Sequence, residues 1–188
     1  MSRVTIILSV LLIGFNSLAV EPNDKIDAKN FNHLFFVKTL HSKINAYRKE
    51  NGLRPLMNNS IIAKVSNDQC NYLKNKKELT HDQPTIGKKN VQERLLHYIN
   101  VKRYSVAENL AKTYVLRNTQ NYMRDGSTKR TVASTYDEAA KYMLNAWIQS
   151  DFHNKNILNP KYELSGLSAY FNPVDFSLTA VQVFAKID

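Results

Sequence analysis

The sequence predicts an α+β domain. Apolar residues recur at three- and four-residue steps in several segments between Phe35 and Trp147, as one face of a helix requires. By contrast, Gly166 to Phe171 and Phe176 to Ala185 are dense in apolar and β-favouring residues, and Asn172-Pro173-Val174-Asp175 joins them as a turn would. Helices first and strands last point away from a parallel doubly wound sheet. A chain of 188 residues, 43% hydrophobic and 22% charged, has material for one real core and requires no second domain.

Residues 1–19 read as a secretory signal peptide. Arg3 supplies a positive start, Val4 to Phe15 are mostly apolar, and Ser17-Leu18-Ala19 carries small residues where a signal peptidase reads. The apolar run is short and soon followed by polar residues, which favours a cleaved signal over the alternative of an uncleaved anchor, and no later stretch is long enough to span a bilayer. The mature chain is expected to begin at Val20, outside the cell or in a periplasm, with residues 20–34 as a polar leader before a domain over residues 35–188.

The first helix is expected from Phe35 to about Asn51, with Phe36, Val37, Leu40, Ile44 and Tyr47 inward and Asn51-Gly52 ending it. Asn58, Asn59 or Ser60 caps a second helix that carries Ile62, Val65, Gln69, Tyr72 and Leu73 and runs to about Leu79. Asn58-Asn59-Ser60 is also an N-glycosylation sequon, but capping is the favoured reason for these residues. His81 would then sit just beyond a helix end. A short helix follows over Val91 to Ile99 with Val91, Leu95 and Tyr98 inward, and Tyr104 to Ala111 reads as an extended or turn segment. Lys112 to Ser134 is basic and without clear periodicity, so a long loop is expected at 112–134. Thr135-Tyr-Asp-Glu138 has the form of a capping box opening a helix with Ala140, Met143, Leu144 and Trp147 on one side. His153 follows Trp147 by six residues and is expected just off the end of that helix.

The formal net charge is +10, and +9 without the signal, whose only charged residue is Arg3. Such a domain favours acidic partners, among them anionic lipid, cell-wall polymer, acidic polysaccharide and nucleic acid. In the 112–134 loop Lys112, Arg117, Arg124, Lys129 and Arg130 outnumber Asp125, which marks it as the expected contact for an acidic surface. No nucleic-acid motif accompanies the charge, so that partner class is disfavoured. Cys70 is the single cysteine, which excludes an intramolecular disulfide and points to a thiol buried on a helix.

Three pieces stand in order along the chain: Leu79-Thr80-His81, Ala107-Glu108-Asn109-Leu110-Ala111, and Trp147 with Ser150, His153 and Asn156-Ile157-Leu158. Together with Ile44-Asn45, Arg48, Leu53 and Pro55-Leu56 before them, and Gly166 and Val181-Gln182-Val183-Phe184 after them, they resemble the CAP superfamily. That superfamily comprises cysteine-rich secretory proteins, antigen 5 and plant pathogenesis-related proteins, and its domain is also called SCP. The resemblance covers Phe35 to Lys186 and is to the bacterial, disulfide-free type. It implies an α-β-α sandwich, with a central antiparallel sheet between helical layers, and a shallow cleft lined by two histidines and two acids. Those positions fall on His81, Glu108 and His153. The fourth falls on Ser150, beside Asp151, and Asn109, Ser150 and Asp151 are the implied ligand contacts.

Two imidazoles and a carboxylate form a reasonable ligand set for Zn²⁺ or another divalent cation. The sequence separations of 27 and 45 residues carry no metal signature, so only the resemblance brings the three together. The leading expectation is a non-catalytic, monomeric extracellular binding module for a lipid, cell-surface or protein ligand. The alternative is a metal-assisted hydrolase or protease in the same cleft. No His-Glu-x-x-His helix is present, and a Ser150, His153 and Asp151 triad is disfavoured by its crowding in sequence and the lack of a nucleophile elbow.

Overall fold

The computed structural model describes residues 20–115, 120–122, 128–130 and 135–188. The signal expected at residues 1–19 and most of the 112–134 segment lie outside these.

Helix α1 spans His33–Glu50 and starts where the Asn32 side chain accepts from the Phe35 amide. Its inward stripe is Phe36, Leu40, Ile44 and Arg48, one residue per turn. It ends at Gly52, whose φ of +74° lets the amides of Gly52 and Leu53 turn back onto the carbonyls of Lys49 and Arg48. This is the glycine-dependent Schellman closure. Arg48 is buried, and its guanidinium donates to the carbonyls of Arg54, Ile157, Asn159 and Tyr162. One side chain thereby ties the turn after α1 to the segment between Ile157 and Tyr162.

Strand β1, Met57–Asn58, leads into α2, Ser60–Leu73, and Asn59 caps α2 by accepting from the amides of Ile61 and Ile62. The helix ends at Leu73, six residues short of Leu79, because Lys74 to Glu78 supplies nothing apolar to continue the buried stripe. Cys70 is buried on α2 as expected, and burial pushes its thiol up to about 12.

Helix α3, Val91–Tyr98, is capped by Asn90 and buries Arg94 beside Leu95. Strand β2, Tyr104–Tyr114, is fully regular. Lys112, where the loop was expected to begin, is still inside this strand and opposite Thr179. Further along, β3, Gln120–Tyr122, pairs antiparallel with β4, Thr128–Arg130, so regular pairing extends into the segment read as loop. The period-2 pattern of β2 was masked by polar residues on both faces. Helix α4, Tyr136–Ile148, opens on the expected Thr135 and Glu138 capping box. Ser150 then starts a separate helix α5, Asp151–Ile157. Strands β5, Leu164–Phe171, and β6, Ser177–Ile187, form the expected hairpin.

The main sheet has the order β1-β5-β6-β2. It is mixed rather than wholly antiparallel, because β1 runs parallel to β5 through Met57 and Asn58. Alternation along β6 sends Leu178, Ala180 and Phe184 to the layer formed by α1 and α4, and Val181, Val183 and Ala185 to the layer formed by α2 and α3. The result is the α-β-α sandwich implied by the resemblance. Trp147 is fully buried in the first layer. In the second, α2 lies so close to β5 that any side chain at Gly166 would strike the backbone of Ile62 and Ala63. Glycine is required there for contact and not for its dihedral freedom.

Candidate functional site

Strand β2 organises the site because neighbouring residues point to opposite faces of the sheet. Glu108 shares its face with Leu110 on the α2 and α3 side, whereas Asn109 shares its face with Ala111 on the α1 and α4 side. The side chain of Glu108 is 1% exposed, and both carboxylate oxygens are engaged. Oε1 lies 2.9 Å from Nδ1 of His81, and Oε2 accepts from Nη2 of Arg94 at 2.6 Å. A carboxylate so deeply buried needs a charged partner, and the fully buried Arg94 supplies it.

Arg94 also steers the His81 segment. Its Nη1 donates to the carbonyls of His81, Lys88 and Lys89 at 3.2, 3.4 and 3.3 Å. From the other side, Gln69 on α2 donates to the carbonyl of Thr80 and accepts from Gln83. His81 is therefore not at a helix end as expected. It lies in an irregular segment held by one buried side chain from α2 and another from α3, with the imidazole itself 56% exposed.

His153 also differs from expectation, lying within α5 rather than beyond a helix. Asn109, fully buried, secures this helix to the sheet: its Nδ2 donates to the His153 carbonyl at 3.0 Å, and its Oδ1 accepts from Asn156 at 2.9 Å. Asn109 is thus a tether between the sheet and α5. Burial lowers the pKa of His153, and the nearby His81 lowers it further, since a second positive charge there is repelled. The fold has brought the two imidazoles into one electrostatic neighbourhood.

Ser150 occupies the N-cap position of α5 without a side-chain cap bond, and Asp151 is exposed on its first turn. Asp151 does not turn inward to supply the fourth acid. No hydrogen bond among the described residues joins the side chains of Ser150, Asp151 and His153 into a triad.

The carboxylate of the expected three-ligand set is already engaged by protein donors. Glu108 has an N–H donor on each oxygen, and among the described residues no group of three or more His, Cys, Asp or Glu side chains is placed to hold a metal ion. What remains is two imidazoles, with Glu108 behind His81 fixing its ring and directing Nε2 away from the carboxylate. Sequence reading missed Arg94. Its signal was present, because Arg94 lies three residues after Val91 and four before Tyr98, on the stripe that was read as apolar.

Residues 41–184 match the family model described as the cysteine-rich secretory protein family, CAP. Among solved structures, the chain is similar to an outer surface protein of Borrelia burgdorferi, with a TM-score of 0.62 and 20% identity over 88% of this chain and 98% of that one. It is similar to an extracellular protein containing an SCP domain from Bacillus anthracis, with a TM-score of 0.56 and 21% identity over 81% of this chain and 40% of that longer one. The CAP domain of enterococcal PrgA matches with a TM-score of 0.51 and 20% identity over 87% of this chain and 66% of that one. At these identities the solved structures speak for the fold. No curated protein sequence matches the chain significantly.

Proposed function

The chain belongs to the cysteine-rich secretory protein (CAP) family, and from that premise we propose that it is a secreted, non-catalytic binding module. Its expected ligand is an extracellular lipid, cell-surface or protein component, engaged at the surface that carries His81 and His153. The observation that supports this reading is the state of Glu108. A general base needs a carboxylate free to take a proton in reach of substrate, yet Glu108 is buried with both oxygens bonded, one of them to the Arg94 guanidinium. Ser150 and the outward Asp151 do not replace it. Its remaining role is to hold the His81 ring.

A metal-assisted hydrolase is the second reading, supported by that same carboxylate-to-histidine contact, which orients Nε2 as in many metal sites. With two imidazoles as ligands, zinc binding should be weak and reversible, and should weaken as pH falls and protons compete for the ligand nitrogens, with burial moving that competition at His153 below the ordinary histidine range. Calorimetric zinc titration of the wild type, His81→Ala and His153→Ala, paired with peptide and ester turnover assays with and without added zinc, separates the readings. Weak zinc binding lost in both variants, without turnover, is the expected result. Sustained turnover abolished by His81→Ala would replace the binding module with an enzyme.

A further inference from the structure

Away from the two histidines, a cavity of about 430 Å³ opens where the end of α2, the end of β2 and the turn between β5 and β6 converge. Lys74, Lys76, Lys77 and Lys112 line it, with Asp175 as the one acid, and Asn75, Asn172 and Ser177 add polar groups. Among the described residues none of the four lysines takes part in an ion pair of 4 Å or less. Lysines after a helix C-terminus complement its dipole, which accounts for their position. Only Lys112, however, directs its ammonium to the carbonyls there, donating to Lys76 at 2.7 Å and more weakly to Lys77. That bond joins the segment after α2 to β2. The ammonium groups of Lys74 and Lys76 rest over the rings of Tyr170 and Tyr72, at 4.7 and 5.0 Å from their centroids. The rings restrain the two lysines without neutralising them. Asp175 is held ionised by its bonds from Ser177, with Lys112 adding to the effect, so it offsets only one of four positive charges.

We propose that this cavity is an anion site for a phosphate monoester. Several unneutralised ammonium groups around a polar recess suit a dianion with several acceptor oxygens, and the recess has room for a substituent beyond the phosphate itself. The same chemistry is offered by a soluble phosphorylated polyol and by a phospholipid headgroup. The proposal is independent of the His81 and His153 surface, so either can fail without the other.

The test measures binding of glycerol 3-phosphate by calorimetry, and of phosphatidylcholine vesicles containing phosphatidic acid by cosedimentation, at about 0.15 M salt. Lys76→Gln/Lys77→Gln should weaken binding about tenfold, whereas Lys38→Gln/Lys64→Gln, which removes the same charge from exposed helix positions, should change it less than about twofold. Lys112→Gln is an additional variant, read together with its thermal midpoint because Lys112 also joins the segment after α2 to β2. Competition between glycerol 3-phosphate and vesicles would assign the shared headgroup chemistry, and vesicle binding alone would assign the lipid. Equal loss in both double variants, or no binding of either probe by the wild type, would overturn the proposal.

Discussion

The two faces of the sheet are built from different chemistry. Against α1 and α4 the packing is aromatic: Phe31 stacks on Phe171 at 4.7 Å between centroids, Tyr162 stacks on Phe184, Phe35 meets Tyr136 edge-on, and Trp147 is fully enclosed. Against α2 and α3 the core is aliphatic and smaller, made of Ile62, Val65, Leu73, Leu95, Leu110, Val181 and Val183, and a buried ionic group interrupts it. The comparison separates two tasks. The aromatic face supplies most of the cohesion, since large rings remove the most apolar area from water. The face with Arg94 and Glu108 supplies position, because charged hydrogen bonds are directional and fix the backbone on either side of His81.

The largest expected effect breaks the aromatic face. Trp147→Ala should destabilise the domain by about 3 to 5 kcal/mol, the range for truncating a buried large aromatic. Trp147 Nε1 is buried and finds no partner among the described residues, so little hydrogen-bond energy is lost with the ring. Urea denaturation measures the change, and a midpoint near that of the wild type would contradict the assignment of this face as the main source of stability.

A slightly smaller effect sharpens the contrast on the opposite face. Arg94→Met leaves Glu108 buried without its cation and should cost about 3 kcal/mol. Replacing both partners, Arg94→Met with Glu108→Leu, should recover most of that loss, because the pair offsets its own desolvation and contributes little net stability. The double variant should nevertheless loosen His81, visible as faster amide exchange between Thr80 and Lys89. Equal stability of the single and double variants would mean that the ion pair itself stabilises this face.

The smallest effect is a pH dependence arising mainly on the aromatic side. Burial lowers the pKa of His41 on α1 below 6.5, and also that of His33, whose Nε2 accepts from the Phe171 amide. In both cases the unfolded chain binds protons more readily than the folded one, so stability is intact above about pH 6.5 and declines as pH falls through the lower folded values. His41→Leu should flatten that decline, measured by urea midpoints at pH 7.5 and 5.5. An unchanged slope would assign the dependence to other groups.

Much of the fold was legible because local rules and tertiary packing agree. The α1 stripe, the Gly52 stop, the Asn59 cap and the Thr135 capping box are local features, and each forms where its residues stand. The disagreements occur where distant residues decide. Strand β2 has polar residues on both faces because Glu108 and Asn109 answer to different layers, which hid its regular period. The span from Ser150 to Ile157 becomes a helix because Asn109 tethers it and Arg48 takes the Ile157 carbonyl at its end.

The sequence alone determined the α+β class, the boundaries of most helices, the hairpin of β5 and β6, and the identity of the two histidines as a pair worth testing. These follow from periodicity, caps and turn residues, which act over a few positions, and from motif order along the chain. Only the tertiary structure decided what Glu108 does. Whether a carboxylate is a ligand, a base or a structural anion depends on which donors surround it. Here the deciding donor is Arg94, 14 residues away on a helix of a different layer. No local pattern records that pairing, because the cost of burying a charge is answered in space and not along the chain.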